Sequence, residues 1–337
     1  MNIRYISLHY IEQESNFIQA IDLGQFIHRI EPLARSIFTE IFESKNKRSF
    51  KLPEYDITLV TEFRKIIKGD ENQRKQAAFN ISKKLLDKEI IAQQQIKAIA
   101  KIPKGSVFLI IIEHEQNRYL VINKTDLDRF TDEIDFEIKR GIPENKKTYK
   151  AFLAKIVKDK LDQLYVFDSS KRLASYWWSD FLDLNPIHED AHNTEKVLGY
   201  LVDHIIAPIK KISKEDHRIL RNATIGYFRS NDSFDLESYK SAVIDNYIPE
   251  NKNVDIQKYS EKIDKMYSID KFDTTFNIVT DKINKKASYT VDLTPKLTLL
   301  VKDHLTSIEE NKIQSFQEDG KKWIKIETEE GYNQFKK

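Results

Sequence analysis

The chain contains no cysteine, and this absence excludes several kinds of chemistry. Disulfide bonds, thiolate zinc sites and thiol nucleophiles all require that residue. Only 8 of the 337 residues are glycine, and the phosphate-binding patterns G-x-x-x-x-G-K-[ST] and G-x-G-x-x-G do not occur. The nucleophile elbow G-x-S-x-G is also missing. We therefore expect neither the common nucleotide-hydrolysing and dinucleotide-dependent enzymes nor a bound cofactor.

Long apolar runs are missing as well. The longest candidate, residues 107–112, has the length of a strand, whereas a membrane helix needs about 20 apolar residues. The first residues lack the apolar core and the small-residue cleavage site of a signal peptide. We expect a soluble, cytoplasmic protein that has no membrane partner.

The charge is unevenly distributed along the chain, although the net charge is only +2. Residues 45–104 carry 15 lysines and arginines against 7 aspartates and glutamates, whereas residues 113–137 carry 8 acidic against 3 basic residues. Opposed charged regions of this kind are typical of proteins that bind a polyanion. Solvated helix faces in a lysine-rich protein produce the same pattern, so charge alone leaves both interpretations open.

Residues 146–182 interleave basic residues with large aromatic residues. Cations can follow phosphates, and aromatic rings can stack on bases or build a core. Trp177 and Trp178 cannot both face inward on one helix, so we expect one in the core and the other exposed, at an interface or available for stacking. The basic residues of this stretch are Lys146, Lys147, Lys150, Lys155, Lys158, Lys160, Lys171 and Arg172.

The hydrophobic periodicity predicts helices and strands in both halves of the chain. The predicted strands are residues 3–11, 107–113, 118–123, 135–139, 164–168, 275–280, 288–292, 297–301, 312–317 and 323–327. The predicted helices are residues 26–42, 55–67, 74–99, 149–161 and 176–184, one that Asn193 caps, and 214–229, 236–247 and 256–267.

These elements indicate an α+β protein. A mixed α/β N-terminal part surrounds a central antiparallel hairpin, and a helical part follows and closes with short C-terminal β-strands. The polar segment 183–192, which contains Pro186, is the predicted boundary between a domain of residues 1–184 and a domain of residues 185–337.

One short motif suggests metal chemistry. Residues 188–192, His-Glu-Asp-Ala-His, match H-E-x-x-H, which on a helix places two imidazoles on one face to hold zinc, with the glutamate as general base. Pro186 lies two residues upstream, and the helical pattern begins only at Asn193. The two histidines are therefore predicted on a loop or a first helical turn, and we assign no metal to them.

Several segments together resemble a known family. They are the N-terminal strand with His9, the hairpin GSVFLIIIEHEQNRYLVINKTDLDRF, the segment KKTYKAFLAKI, the block LYVFDSSKRLASYWWSDFLDL with NTEKVLGYLVDHI after it, and the closing LTLLVKDHL and KKWIKIE. They resemble the nucleoid-associated proteins of the YejK/NdpA type. The resemblance implies a cytoplasmic, nucleoid-localised protein that binds double-stranded DNA, forms a dimer and is not an enzyme. A role in phage defence is a related interpretation that the residues do not distinguish from a housekeeping role.

Three functional hypotheses follow. The first is a protein that binds double-stranded DNA without sequence preference, and its candidate phosphate contacts are Lys146, Lys147, Lys150, Lys155, Lys171, Arg172, Arg74, Lys75, Lys83 and Lys84. The second is a module that binds a DNA-processing protein. The third is a metal-dependent hydrolase that uses His188, Glu189 and His192.

Overall fold

The computed structural model describes residues 1–54, 57–96, 101–131, 134, 136–142, 148–169, 173–283, 289–302 and 311–336. A large antiparallel sheet dominates the N-terminal half, helices follow it, and short strands close the chain. The predicted α+β class is therefore confirmed.

The large sheet has eight strands in the order β10-β3-β9-β8-β5-β4-β1-β2, and the neighbouring strands are antiparallel. The strands are β1 (Asn2–Glu12), β2 (Phe17–Ala20), β3 (Arg48–Lys51), β4 (Gly105–His114), β5 (Asn117–Asp126), β8 (Lys150–Val157), β9 (Lys160–Asp168) and β10 (Asn185–Pro186). A separate pair, β6 (Asp128–Thr131) and β7 (Ile138–Gly141), follows β5.

Helices cover both faces of this sheet. The helices of the N-terminal half are α1 (Ile27–Glu43), α2 (Thr58–Lys68) and α3 (Glu71–Ile96). Val107, Leu109 and Ile111 of β4 pack in one core with α2 and α3. Phe108 and Ile110 point the opposite way and pack in a second core with α1. Both faces of β4 are therefore buried. A strand that is buried on both faces has apolar residues at almost every position, which agrees with the apolar run at residues 107–112.

The hairpin β4–β5 confirms the prediction for residues 107–123. Its turn lies at Glu115 and Gln116, whose φ angles are +47° and +64°. Two consecutive positive φ angles are typical of the tight turns whose twist matches that of the flanking strands. The hairpin forms the centre of the large sheet.

The helix predicted for residues 149–161 is wrong, because this segment forms the hairpin β8–β9. Phe152 and Ala154 face the α2–α3 side, and Ala151 and Leu153 face α1. The turn lies at Lys158 and Asp159, with φ angles of +49° and +61°. The apolar pairs at 152–153 and 156–157 fit helical spacing, but burial of both sheet faces produces the same pattern.

The second half contains its own helical core. Its helices are α4 (Asp190–Tyr200), α5 (Lys214–Ser230), α6 (Leu236–Tyr239) and α7 (Ile256–Asp264). α4 and α6 continue as π-helical turns, Leu201–Ile206 and Lys240–Asp245. The buried residues of this core run from Val197 to Phe276. The predicted helices 214–229, 236–247 and 256–267 are confirmed in position.

Asn193 does not cap α4, so this prediction is wrong. The helix begins at Asp190, and Asn193 is a buried residue of its first turns. Its amide donates to the Asp273 carboxylate over 3.0 Å, and its side-chain oxygen accepts from the Asp273 backbone N–H over 2.9 Å. A tertiary partner therefore uses the polar side chain that the sequence pattern assigned to a helix end.

Two-stranded ribbons and a short helix close the chain. They are β11 (Ser233–Asp235) with β12 (Thr275–Asn277), β13 (Tyr289–Thr294) with β14 (Leu297–Val301), β15 (Ile313–Glu318) with β16 (Lys321–Ile326), and α8 (Glu329–Phe335). The predicted turn at Asp319 and Gly320 is confirmed. The predicted element ends at residues 55, 97–99, 135 and 288 lie outside the described residues. No helix in the described ranges is both long and apolar enough to cross a bilayer.

Candidate nucleic-acid interface

Helices α2 and α3 form one layer on the sheet, and its outer side is basic. Phe63 of α2 and Ile81 of α3 are buried in the same core. Because a helix repeats every 3.6 residues, the residues between these apolar positions point away from the sheet. The outward cations of the layer include Arg64 and Lys68 on α2, and Lys75 and Lys83 on α3.

Ion pairs hold these cations only weakly. Lys75 lies 2.6 Å from Glu71 and Lys83 lies 2.7 Å from Asp87, each one helical turn away. Exposed pairs of this kind add little to stability, because water screens the two charges. A phosphate that approaches the layer can therefore replace the carboxylate at little cost. Two of the predicted contacts, Lys75 and Lys83, lie on this surface.

Arg74 and Lys84 are more deeply engaged than the other two predicted residues of α3. The Arg74 guanidinium lies 5.8 Å from the ring centroid of Tyr5 and donates to the Ile67 carbonyl over 3.4 Å. Lys84 pairs with Asp183, beyond the π-helical turn Tyr176–Phe181. Both side chains attach α3 to neighbouring elements, so they are poorer candidates for phosphate contacts.

The structure does not bring the remaining predicted contacts into one patch. Lys155 lies on the face of β8 that carries Leu153, opposite the α2–α3 layer. Lys150 was expected on the surface of a helix, and this expectation is wrong, because Lys150 is a buried strand residue. Lys146, Lys147, Lys171 and Arg172 lie outside the described residues.

Lys150 belongs to a buried ion-pair network at one end of the sheet. Its Nζ lies 2.5 Å from Oδ2 of Asp168, and Nζ of Lys124 lies 2.5 Å from Oε1 of Glu89. Lys124 and Lys150 are register partners on β5 and β8. Burial lowers the pKa of Lys150 and raises the pKa of Glu89, because it disfavours the charged form of each group.

Sequence reasoning missed this network, although β5 contains a signal for it. Leu120, Ile122 and Lys124 alternate along the strand, and the first two face the α2–α3 core. The period of two places Lys124 on that same inward face. A lysine at an inward position needs a buried acidic partner, and Glu89 of α3 supplies it.

The H-E-x-x-H segment does not present two ligands on one helix. His188 precedes α4, and His192 lies in its first turn. Nε2 of His188 donates to the Asp270 carbonyl over 3.1 Å, and Nε2 of His192 donates to the Lys271 carbonyl over 2.9 Å. These nitrogens carry hydrogens and cannot also bind a metal through a lone pair. The described residues contain no group of three or more side chains that could hold a metal ion.

Trp177 is fully buried, as expected for one of the two tryptophans. Trp178 is partly buried, and its ring centroid lies 5.4 Å from that of Phe50. Trp178 therefore packs on the core and is not a free stacking platform.

Comparison with protein-family models gives no match, and comparison with curated proteins gives none either.

Proposed function

We propose that this protein binds double-stranded DNA without sequence preference through the outer side of the α2–α3 layer. The observation that carries the proposal is the set of outward cations on two packed helices. Their partners are surface carboxylates and, for Lys83, also the Asn16 side-chain oxygen 3.1 Å away. Lysine and arginine contacts to phosphates supply most of non-specific DNA affinity. A nucleoid location would follow from this binding, and the proposal includes no enzymatic activity.

The dimensions of the layer suit a duplex. α3 has 26 residues, which corresponds to about 39 Å at 1.5 Å per residue. One turn of B-DNA spans about 34 Å. Long lysine side chains along such a helix can follow a phosphate backbone, and phosphate contacts position a protein without reading the sequence.

A salt titration with two matched variants tests this proposal. One variant replaces Arg64, Lys68, Lys75 and Lys83 by glutamine. The control replaces the exposed Lys210, Lys211, Lys252 and Lys258 of the helical half by glutamine. Both lose four positive charges, so they differ only in where the charge is lost. Fluorescence anisotropy with a labelled duplex gives the affinity between about 50 and 200 mM salt.

The first variant should lower the slope of log affinity against log salt concentration by about 3 to 4 units, because each phosphate contact contributes about 0.9. The control should keep the wild-type slope. Equal losses in both variants would mean that net charge, and not this surface, sets the affinity. Absence of duplex binding at 50 mM salt would refute the proposal.

The expected homodimer has a candidate surface in the ribbon β15–β16. Phe316 and Trp323 stack across the strands with centroids 6.5 Å apart, yet they are 45% and 49% exposed. Ile324 and Ile326 are exposed on the same ribbon. A two-stranded ribbon is marginally stable alone, and exposed apolar patches mark interaction surfaces. We propose that a second copy of this chain covers the ribbon.

The mass in solution tests the dimer. Wild-type protein should sediment as a dimer, and Trp323→Ser should shift it towards the monomer. The control Ile248→Ser removes an apolar side chain that is 85% exposed in the helical half and should leave the dimer intact. A monomeric wild-type protein, or an unchanged dimer in Trp323→Ser, would rule out this interface.

A further inference from the structure

A cleft of about 680 Å³ lies where the helical half meets the α1 face of the large sheet. Tyr119, Lys155 and Tyr165 of three adjacent strands form its floor. The end of α1 forms one wall, and residues 267–274 form the other. The volume lies within the range of about 300 to 1,000 Å³ for small-molecule sites, which often lie where two structural units meet.

Two lysines, Lys47 and Lys155, line the cleft. Lys47 donates to the Phe42 carbonyl, and its Nζ lies 5.5 Å and 5.6 Å from the ring centroids of Phe42 and Tyr165. Within the described ranges, neither Lys47 nor Lys155 forms an ion pair with a carboxylate. Burial lowers the pKa of Lys47, as expected for an ammonium group that lacks a counter-ion.

Acidic groups lie close to these lysines as well. Asp273 accepts from the Ser49 N–H over 2.9 Å and from the Asn193 amide over 3.0 Å, and it lies 3.7 Å from the Arg48 guanidinium. The same guanidinium lies 2.7 Å from Asp190, so two carboxylates share it. Lys45, also in the cleft, is balanced by Asp264 at 3.2 Å. Asp270 and Asp162, the register partner of Lys155 on β9, lie near the two lysines. The attraction that the cleft offers an anion therefore comes from the ammonium groups of Lys47 and Lys155 themselves and not from a net positive charge.

Aromatic rings lie beside these cations. Phe42, Tyr119 and Tyr165 line the cleft together with Tyr267, which is 58% exposed. Tyr119 and Lys155 are register partners on β5 and β8, so their side chains leave the sheet side by side. A ring next to an ammonium group suits a ligand that joins a planar base to a phosphate.

We propose that this cleft binds a nucleotide, whose phosphates contact Lys47 and Lys155 and whose base packs against the tyrosine rings. The glycine-rich loops that usually hold phosphates are missing from the sequence. Lysine side chains would take over that role here, as point charges. The site lies opposite the α2–α3 layer and is separate from the proposed DNA-binding surface.

Calorimetric titration with ADP, adenosine and pyrophosphate tests this inference. ADP should bind, adenosine should bind at least tenfold more weakly because it lacks phosphates, and pyrophosphate should also bind more weakly because it lacks a base. Lys155→Gln should weaken ADP binding about tenfold, which corresponds to one lost charge-assisted contact. Lys160→Gln, an exposed position on the same hairpin, is the control and should bind ADP as the wild type does.

A second variant separates a loss of ADP binding from a loss of the fold. Lys47→Met keeps an apolar stem among the rings and should also weaken ADP binding, and its melting temperature without ligand reports the fold. Failure of ADP, GDP and UDP to bind at concentrations up to about 1 mM would overturn the proposal. Equal ADP affinity in Lys155→Gln, or equal affinity for ADP and pyrophosphate, would also overturn it. The variant with glutamine at Arg64, Lys68, Lys75 and Lys83 should bind ADP as the wild type does. A failure of the DNA proposal would therefore leave the nucleotide proposal standing, and the reverse.

Discussion

Lys150 and Asp168 face each other across β8 and β9, with Nζ 2.5 Å from Oδ2 and both side chains 2% exposed. The ring centroid of Tyr149 lies 4.6 Å from the same Nζ. The Asp168 carboxylate also accepts from the Ala174 N–H over 3.0 Å. This pair therefore closes one end of the sheet and joins β9 to the segment that leads into the buried Trp177.

Reversing the charge of Lys150 should destabilise the fold strongly. Lys150→Glu would place two carboxylates in one buried site, and we expect a loss of about 3 to 5 kcal/mol in the free energy of unfolding. Urea denaturation measures this loss. Lys160→Glu, on an exposed position of the same hairpin, should change stability by less than about 0.5 kcal/mol. A Lys150→Glu protein of wild-type stability would show that the pair is not buried in solution.

Replacement of both partners should be much milder. In the double variant Lys150→Met with Asp168→Leu both charges of this pair are removed together, and such replacements are often close to neutral. A double variant as unstable as Lys150→Glu would mean that other contacts of Asp168, such as the hydrogen bond that it accepts from the Ala174 N–H, carry the stability.

Asp273 should be essential for the contact between the sheet and the helical half. Asp273→Ala removes the bonds to the Ser49 N–H and the Asn193 amide. Among the described residues it leaves the buried Arg48 with Asp190, 2.7 Å away, as its ion-pair partner. We expect a loss of about 3 kcal/mol in urea denaturation. The segment 183–192 should also become more sensitive to limited proteolysis. The exposed Asp281→Ala is the control, and equal behaviour of the two variants would contradict this role.

His9 should make stability depend on pH. Burial lowers its pKa from 6.5 to about 4, so the unfolded chain binds a proton in this interval that the folded chain does not. The contribution of neutral His9 to the free energy of unfolding is fully present above pH 6.5 and is lost as the pH falls towards 4. Its maximum is about 3 kcal/mol.

Urea denaturation at several pH values isolates this contribution. Between pH 6.5 and 4, His9→Leu should lose less stability than the wild type. The variant lacks the His9 imidazole, so only the other titratable groups contribute to its pH dependence. His28→Leu, at an exposed position of α1, should keep the wild-type loss. An unchanged pH dependence in His9→Leu would show that folding does not lower the pKa of His9.

The His188 and His192 pair should hold no zinc. Elemental analysis of purified protein should find less than about 0.1 zinc per chain, because both Nε2 atoms donate to carbonyls. His188→Ala with His192→Ala should cost about 1 to 3 kcal/mol, for two lost hydrogen bonds. DNA binding should be unchanged. Stoichiometric zinc that the double variant loses would contradict the geometry and favour the hydrolase hypothesis.

Local patterns were sufficient for much of the fold. The β4–β5 hairpin, the helices α1 and α5 and the ribbon β15–β16 could be predicted from residue types a few positions apart, such as Asp319-Gly320 at a turn. The β8–β9 hairpin could not be predicted in this way. Both faces of β8 are buried, so its apolar residues have the spacing of a helix, and local periodicity does not separate the two structures.

The sequence by itself determined the fold class, the central hairpin and the absence of cysteine chemistry, because composition and short-range periodicity decide these properties. Only the tertiary structure decided which lysines are surface cations. Lys150 and Lys124 are buried because Asp168 and Glu89 come from other elements to meet them. Lys47 and Lys155 lie in one cleft because β3 and β8 belong to the same sheet. Such pairings join residues that are far apart in the chain, and a charge pattern read along the sequence does not contain them.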